Sequence, residues 1–446
     1  MKKITRAVSA PAYLLMIAFA AGCAVNGIDD DGKDAVRVVS VTAKALQDPY
    51  GEDNPAAAQA ARGANDFAFR LGAALLADQT GGRNFVCSPY SVWVPLAALV
   101  NATDDEHKAA LLTALGASGL GEAELNNAAS RMLYDLTRQR DKKDAEEYGG
   151  QYHDPLKIAN AVFADYRATL KRDFAQIFMD YYRGSSLQVD FGSRDAVTAV
   201  NKWAGDNTEG LITDIVQEFD PATVAAIANA IYFSDRWGWE FDPHETEKDT
   251  FHAPSGDTEA FYMLREGNDQ VYYEDDRVQA MPLGFKTGGG MYIILPKDGG
   301  AAELLSSMDS AYFDEIQGNA FRAEGKLLLP RFSIESGVMQ LTDTLRALGV
   351  PLFDELAAPL TGLLEEVPVW LSSAAHMAVI KVDEKGTTAA AVTVMEGATS
   401  SGPPEPAEPF EMICDKPFVF VLYGNTYDGG SQVLFTGVVN RPQAHD

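Results

Sequence analysis

Two apolar patterns occur along the chain, and each predicts a different element. From Asn65 the run NDFAFRLGAALLADQ places apolar residues three and four positions apart, which is typical of an amphipathic helix. A second helix is predicted over SPYSVWVPLAALV, with Ser88 or Ser91 as its N-terminal cap. Short apolar runs such as IANAVFA and AIANAIYFS predict strands. The sequence therefore indicates a mixed α+β fold.

The second half of the chain predicts strands and one long loop. MPLGFKTGGGMYIILP predicts a hairpin that turns at residues 288–290. HMAVIKVDE alternates like a half-buried strand, and PFVFVLYGN and SQVLFTGVV are nearly continuous apolar runs. Two strands make no stable domain, so the last two are expected to pair with sheet formed upstream. The stretch GTTAAAVTVMEGATSSGPPEP is then a long loop inside one domain, and such loops are usually functional or disordered.

The N-terminus has the pattern of a secretion signal. Basic residues in MKKITR precede an apolar run, and the following AAGC resembles a bacterial lipobox with Ala20 at the usual Leu position. We expect residues 1–22 to be a signal peptide, too short to span a bilayer, and Cys23 to be lipidated; the alternative is plain secretion with cleavage nearby. Residues 23–62 predict an acidic, flexible tether, and residues 63–446 a compact domain. The expected location is the bacterial cell surface or the extracellular space.

Composition narrows the classes of partner. The chain has 446 residues, 46% of them hydrophobic, and a formal net charge of −28. This length can bury a large core, and the acidic charge argues against binding to nucleic acid, anionic membranes or heparin. The other cysteines, Cys87 and Cys414, do not make a disulfide framework, and Cys87 is interpreted as a small core residue.

Catalytic motifs are absent from the sequence. It contains no HExxH, no phosphate-binding glycine loop, no GxSxG elbow and no paired CxxC. Its six histidines do not cluster at metal-ligand spacing, and the pattern around His376 favours a buried hydrogen-bonding histidine over a catalytic base. We therefore expect a protein that is not an enzyme and that has no cofactor and no metal.

Several sequence blocks, in a fixed order from about Asn65 to Pro442, resemble the serpin family of protease inhibitors. They are NFVCSPYSV, IANAVF, NKWAGDNTEGLITDIV, AIANAIYFSDRWGWEFDP, MPLGF, GMYIILP, LLLPRFSIE, AAHMAVIKVDEKGTTAAA and DKPFVFVLYGNTYDGGSQVLFTGVVNRP. The resemblance implies the serpin fold, with three β-sheets, about eight or nine helices and an exposed reactive loop at about residues 386–409.

The resemblance also implies two groups of residues that control the central sheet. The shutter is a buried polar cluster whose two arrangements would open or close the sheet; the alternative is a set of static core polar residues. The positions that match the shutter are Ser88, Ser91, Asn229 and His376. The breach is the top of the sheet, where Arg331 and Glu384 match a salt bridge near Trp237.

The loop itself matches the part of the family that meets the protease. The positions that match its hinge are Glu384, Gly386, Thr387, Ala389, Ala390, Ala391 and Thr393. Side chains alternate faces on a strand, so the short residues from Thr387 to Thr393 suit entry between packed strands. Thr388 stands where inhibitory members usually have Glu, but its side chain is expected to face solvent.

Family spacing places the scissile bond between Ser400 and Ser401, with Thr399 and Ala398 as alternative bait residues. The resemblance then implies an inhibitor that is consumed by one cleavage. Because the bait side chains are small, the expected targets are elastase-like serine proteases, with subtilisin-like and cysteine proteases as further targets. The alternative is a non-inhibitory serpin that acts as a binding or protease-substrate module. We expect a monomer that meets the membrane only through its N-terminal lipid.

Overall fold

The computed structural model describes the backbone of residues 12–21 and 37–38 and, in full, most of the chain from residue 55 onward. The fully described ranges are 55–77, 79, 82–137, 156–220, 222–386, 408–426 and 430–442. Three groups of predicted residues lie outside them: Cys23, the hinge beyond Gly386, and the bait residues 398–401. Within the described residues the chain forms nine α-helices and sixteen strands.

The helices occur in the first half of the chain and again between the later strands. They are α1 Pro55–Ala77, α2 Pro89–Leu99, α3 Asp105–Ala114, α4 Glu122–Leu136, α5 Arg172–Tyr182, α6 Arg194–Asn207, α7 Ala301–Ser307, α8 Ser310–Gly318 and α9 Thr342–Ala347. Both predicted helices are present. Within the described parts of the chain, no helix is long and apolar enough to cross a membrane.

Helix α1 begins earlier than the sequence pattern indicates. It starts at Pro55, inside the stretch interpreted as tether, and Ala60 is already buried against the core. The segment PAAAQAAR lacks large apolar residues, so its periodicity is weak, but alanine is the strongest helix former and Pro is tolerated in a first turn. Helix α1 therefore starts about two helical turns before residue 63.

The described strands lie between residues 12 and 439. They are β1 Ala12–Ala21, β2 Arg37–Val38, β3 Phe85–Cys87, β4 Leu156–Asp165, β5 Gly184–Val189, β6 Thr223–Phe233, β7 Glu247–Phe251, β8 Thr258–Glu274, β9 Val278–Gly284, β10 Gly290–Pro296, β11 Phe321–Pro330, β12 Phe332–Gln340, β13 Val369–Val382, β14 Phe410–Ile413, β15 Phe418–Asn425 and β16 Ser431–Val439. Strands β9 and β10 form the predicted hairpin, with Gly290 opposite Gly284, and Gly288 and Gly289 have positive φ. That prediction is confirmed.

These strands form three sheets. Sheet A is central and has the order β12-β13-β1-β6-β4-β5-β2. Sheet B contains β9, β10, β15, β16 and β3, and sheet C contains β14, β11, β8 and β7. Strand β8 is long enough to belong to sheet C and then to pair with β9 of sheet B. The mixed α+β fold with three sheets and eight or nine helices is confirmed.

The main core lies between sheets A and B, and α2 passes through it. All eleven residues of α2 are buried, so this helix has no polar face. Helices α1, α4 and α5 pack around it, while α6 covers the opposite face of sheet A through a smaller apolar cluster. The last two strands pair with upstream sheet as predicted, β15 with β10 and β16 with β3.

Candidate functional site

The candidate site begins where β13 leaves sheet A, at a turn from Asp383 to Gly386. Asp383 N donates to the Gly386 oxygen at 3.2 Å, and Gly386 N donates to the Asp383 oxygen at 3.3 Å. Gly386 has φ of +132°, a conformation that is accessible mainly to glycine. The predicted hinge therefore starts from a turn that requires glycine.

Position 386 also has no space for a side chain. A Cβ built on Gly386 would lie 2.4 Å from the Asp235 oxygen and 2.6 Å from the Arg236 Cα. Trp237 N donates to the Lys385 oxygen at 2.9 Å, so the two segments run side by side. The end of β13 is therefore held against residues 235–237, which follow β6.

Glu384 points into the protein and accepts hydrogen bonds from two residues. Its side chain is 7% exposed. Arg331 Nε donates to Glu384 Oε1 at 2.6 Å, a second guanidinium nitrogen donates to the same oxygen, and the Thr246 hydroxyl donates to it at 2.6 Å. The structure thus brings the predicted salt-bridge pair together. It adds Thr246, which no sequence pattern pointed to.

The ionisation of Glu384 follows from these contacts. Burial alone would raise the pKa of Glu384, because a carboxylate loses hydration. The hydrogen bonds from Arg331 and Thr246 outweigh that effect, and the pKa is lowered from its ordinary value. Glu384 is therefore a carboxylate at neutral pH, and the pair is charged.

Trp237 links the breach to sheet B. Its indole is completely buried, its Nε1 donates to the Asp383 oxygen at 2.9 Å, and its ring stacks on Phe285 with 4.8 Å between centroids. Buried indoles usually need such a hydrogen-bond partner. Here the partner is the backbone of the hinge turn, so Trp237, Glu384 and Gly386 form one packed unit.

The chain after the loop returns to the body in β14, and no sequence pattern predicted a role for its first residue, Phe410. Phe410 pairs with Gly325 of β11 and stacks on Tyr272 with 3.8 Å between ring centroids and 3° between planes. A Cβ at Gly325 would lie 2.1 Å from the Phe410 ring, so the glycine leaves room for it. The only sequence signal was an aromatic residue directly after the proline-rich stretch.

Strand β1 is an inner strand of sheet A. It pairs antiparallel with β13 on one side and with β6 on the other. We call this position, between β6 and β13, the slot. Residues 12–21 are the apolar part of the predicted signal peptide, so a chain that has lost residues 1–22 has no β1. Without β1, strands β6 and β13 would either stand about 10 Å apart, or two strand spacings, with unpaired edges, or move together and pair with each other.

Three of the four predicted shutter residues form one buried cluster below β13. Ser88 N donates to His376 Nε2 at 3.0 Å, so that ring nitrogen carries no proton. The Ser88 hydroxyl donates to the Leu434 oxygen at 2.9 Å, and the Ser91 hydroxyl donates to the Ser88 oxygen at 3.0 Å. Ser88 is the N-cap residue of α2, as predicted for one of the two serines, but its side chain makes no capping hydrogen bond.

The fourth shutter residue, Asn229, belongs to a different network. Its Nδ2 donates to Asn160 Oδ1 at 2.8 Å, and Asn160 Nδ2 donates to the Tyr182 oxygen at 2.6 Å. Asn229 Oδ1 is buried and has no hydrogen-bond partner among the described residues. Asn229 and His376 both pair with Leu15 of β1, so they face each other across the slot. Closing the slot would bring the two networks together.

A model of the family described as serpin (serine protease inhibitor) matches residues 62–442. The chain belongs to the serpin family. An uncharacterised serpin-like protein of Thermococcus kodakarensis is 31% identical over 291 residues, which cover 65% of this chain and 67% of that protein. Alpha-1-antitrypsin of Meriones unguiculatus is 30% identical over 359 residues, which cover 79% of this chain and 85% of that protein.

Solved serpin structures have a fold similar to that of this chain. The crystal structure of a thermophilic serpin, tengpin, in the native state has a TM-score of 0.70 at 23% identity, and the match covers 85% of this chain and 94% of tengpin. The structure of human glycosylated kallistatin has a TM-score of 0.71 at 23% identity and covers 87% of this chain and all of that one. At these identities the similarity concerns the fold alone.

The two described cysteines of this serpin are not suited to nucleophilic attack. Serpins as a family are serine protease inhibitors. Both described cysteines are free and buried, and burial raises the pKa of Cys87 to about 12 and raises the pKa of Cys414 as well. Such thiols are poor nucleophiles. In the described ranges, no group of three His, Cys, Asp or Glu side chains is placed to hold a metal ion.

Gly386→Ala is expected to destabilise the protein by about 1–3 kcal/mol, because the new Cβ combines an unfavourable φ with backbone contacts. Thermal unfolding of both proteins measures the effect. Gly119→Ala is the matched control, since Gly119 also has positive φ but nothing within 4 Å of the added Cβ. If Gly386→Ala and Gly119→Ala had the same midpoint of thermal unfolding, the close packing of residue 386 against residues 235–237 would contribute nothing to stability.

Arg331→Met is expected to cost about 3 kcal/mol, more than Glu384→Gln, because it leaves a buried carboxylate without its cation. The Lys202–Asp206 pair is largely exposed, so Lys202→Met should cost under about 0.5 kcal/mol and serves as control. Thermal unfolding at pH 7 measures all three variants, and equal costs for Arg331→Met and Lys202→Met would contradict the assignment.

The pH dependence of this pair has a defined sign. Because the folded pKa of Glu384 is below its ordinary value of 4.5, the pair stabilises the protein above that pH. The stabilisation is lost as pH falls through the folded pKa. Glu384→Gln should therefore lose less stability than the unsubstituted protein between about pH 5 and pH 3. Parallel curves for the two proteins over this range would contradict the expectation.

Proposed function

We propose that this serpin inhibits elastase-like serine proteases by trapping the acyl-enzyme when its cleaved loop enters the slot. The observation that carries the proposal is the slot itself. Strands β6 and β13 stand one strand apart, and both pair antiparallel with the strand between them. A loop that leaves the end of β13 and turns back would enter the slot in that same direction.

The register at the hinge supports this route. Asp383 pairs antiparallel with Gly386. Continuing that register along β13 would place residue 390 opposite Val379 and Ser400 opposite Val369, the first residue of β13. An inserted strand that ends at the predicted bait would therefore span the sheet from end to end. Strand β1 occupies the same levels, from Val379 to Val369.

The same register decides which loop side chains would enter the core. Directly opposed residues of an antiparallel pair share one face of the sheet. The fully buried positions of β13 include Val382, Ile380, Ala378 and His376. Opposite them would stand Thr387, Ala389, Ala391 and Thr393, in that order, and all four side chains are short. Packing in a protein core leaves no space for larger ones.

In this register, the threonine at position 388, where inhibitory members of the family usually have Glu, argues little against inhibition. Thr388 would lie opposite Lys381, on the half-exposed face of β13. Thr393 would lie between Asn229 and His376, where Asn229 Oδ1 has no partner among the described residues. At that place the Thr393 hydroxyl would be able to donate a hydrogen bond to Asn229 Oδ1.

The free energy and the reach of insertion are sufficient for trapping. A strand of about fourteen residues at about 3.3 Å per residue carries an attached protease about 45 Å. If each new ladder hydrogen bond contributes about 1 kcal/mol, insertion supplies on the order of 10 kcal/mol. That value is comparable to the stability of a whole domain, so distortion of the protease is energetically accessible.

The bait sequence supports the target class. Residues 387–415 contain no Arg or Lys, and residues 397–401 are Gly, Ala, Thr, Ser and Ser. Trypsin-like enzymes require a basic residue at this position, whereas elastase-like enzymes have a shallow pocket for small side chains. The N-terminal Cys23, as a lipidated residue, would hold the inhibitor at the cell surface.

Mixing the protein that begins at Ala24 with pancreatic or neutrophil elastase should give a covalent complex that survives boiling in detergent. Mass spectrometry of the complex should identify the bond after Ser400. Thr387→Arg should convert the inhibitor into a substrate, because residue 387 would enter the core opposite Val382.

Thr388→Arg is the matched control and should leave complex formation unchanged, because residue 388 would face solvent. Recovery of only cleaved protein and active elastase from the unsubstituted protein would favour the non-inhibitory alternative. If Thr387→Arg and Thr388→Arg behaved alike, the hinge register would be wrong.

A chain that keeps residues 1–22 should not inhibit, because β1 fills the slot. We expect the protein of residues 1–446 to be cleaved without forming the complex, whereas the protein that begins at Ala24 forms it. Leu14→Pro in the long protein should restore the complex, since proline cannot take part in a central strand. Equal complex formation by the two unsubstituted chains would contradict the expectation.

A further inference from the structure

The turn that begins at Trp237 lies against the start of the reactive loop. Trp237 N donates to the Lys385 oxygen at 2.9 Å, and Phe241 N donates to the Glu384 oxygen at 2.9 Å. We call residues 237–241 the Trp239 turn. The turn therefore begins and ends beside the predicted hinge, and its middle residue is held next to the place where the loop leaves the body.

Further contacts fix the backbone of the Trp239 turn. Gly238 N donates to the Gly284 oxygen at the end of β9, at 2.7 Å. Glu240 forms ion pairs with Arg236 at 2.6 Å and with Lys286 at 3.1 Å. A turn with this many contacts loses little conformational freedom when a partner binds, so a contact made by its middle residue has a small entropic cost.

Arg265 of β8 joins the turn to sheet C. Its guanidinium donates to the Trp239 carbonyl oxygen and lies over the Phe241 ring, 4.3 Å from the ring centroid. Strand β11 has Leu327 opposite Arg265, and β14 has Met412 opposite Leu327. Arg265 is thus about 10 Å, or two strand spacings, from the strand in which the chain returns after the loop. The Trp239 turn therefore lies near both ends of the reactive loop.

The indole of Trp239 is exposed although its aromatic neighbours are not. Trp239 is 71% exposed, whereas Trp237 and Phe241 are buried. A single apolar residue on a surface needs no function. Trp239 differs from such residues in two respects, because its backbone is fixed and because it lies near both ends of the loop. Trp is also among the residue types most enriched at the energetic centres of protein interfaces.

We propose that Trp239 is a second contact for the target protease, outside the bait. This inference rests on the proposed function, in which the protease binds the loop that starts and ends near the Trp239 turn. A protease–inhibitor interface covers about 800 Å² on each partner. That area extends beyond a bait of a few residues, so the rim of the active-site cleft would meet the turn.

The side chains around Trp239 indicate the chemistry of the protease surface that would bind it. The exposed carboxylates of Asp242, Glu245 and Glu247 follow the turn. The two cations beside the turn already form ion pairs with Glu240. The matching surface is therefore an apolar patch, which receives the indole, with basic side chains at its border.

The test measures binding before cleavage, with pancreatic elastase whose catalytic serine is replaced by alanine. This enzyme can bind the bait but cannot cut it, so its Kd reports docking alone. In the protein that begins at Ala24, Trp239→Ala should raise this Kd about tenfold, which corresponds to about 1.4 kcal/mol. Active elastase should form the detergent-stable complex about tenfold more slowly with the same variant.

Two further measurements separate docking from a structural role. Because the Trp239 side chain is largely exposed, Trp239→Ala should leave the midpoint of thermal unfolding unchanged. The fraction of cut inhibitor that becomes complex should also stay the same, because that fraction is decided after docking.

Tyr166→Ala is the matched control. The Tyr166 side chain is 55% exposed and follows β4 at the Val369 end of sheet A, far from the loop. Its substitution should change neither the Kd for the inactive elastase nor the rate of complex formation.

Two results would overturn the inference. If Trp239→Ala bound the inactive elastase as tightly as the unsubstituted protein, the indole would not contact the protease. If Trp239→Ala slowed cleavage of the loop by papain, a protease of unrelated fold, as much as it slowed elastase, the indole would hold the loop instead. Failure of the proposed function is distinguishable, because elastase would then cut the unsubstituted protein without forming the complex, while the Kd values still decide the inference.

Discussion

The fold depends on one constraint, which is that backbone N–H and C=O groups inside a sheet must be paired. In sheet A the strands β6 and β13 are parallel neighbours of the slot, and each pairs with the strand inside it. A vacant slot would leave a buried row of unpaired groups on both edges, which a protein avoids at a cost of several kcal/mol. The sheet must therefore either close or take in a strand, and this choice is the basis of the proposed inhibition.

The residues around the slot are arranged so that both states can exist. At the Val382 end of β13, Gly386 holds the strand against residues 235–237, and Glu384 is held by Arg331 and Thr246. Halfway along the slot, His376 and Asn229 bond to separate networks on its two sides. A buried polar atom without a partner, such as Asn229 Oδ1 among the described residues, costs free energy, so the two networks influence which strand spacing is stable.

Strand direction determines how a loop could enter sheet A. Because a strand that enters from the end of β13 must be antiparallel to it, the loop can only travel from the Val382 end of β13 to the Val369 end. Strand β6 is parallel to β13, so the entering strand is antiparallel to both of its neighbours.

The sequence by itself determined the local features of this protein. It predicted the α+β fold, the β9–β10 hairpin, the two N-terminal helices and the pairing of the last strands, because each depends on the periodicity of nearby residues. It missed the first turns of α1, where alanines carry little periodicity. Only the tertiary structure decided that Phe410 lies over Gly325, that Thr246 joins Glu384, that Asn160 holds Asn229, and that the Ser88 hydroxyl bonds to Leu434 and makes no capping hydrogen bond. These contacts join residues far apart in the chain. They depend on which strands pair and on the register of the pairing, and a local sequence pattern contains neither.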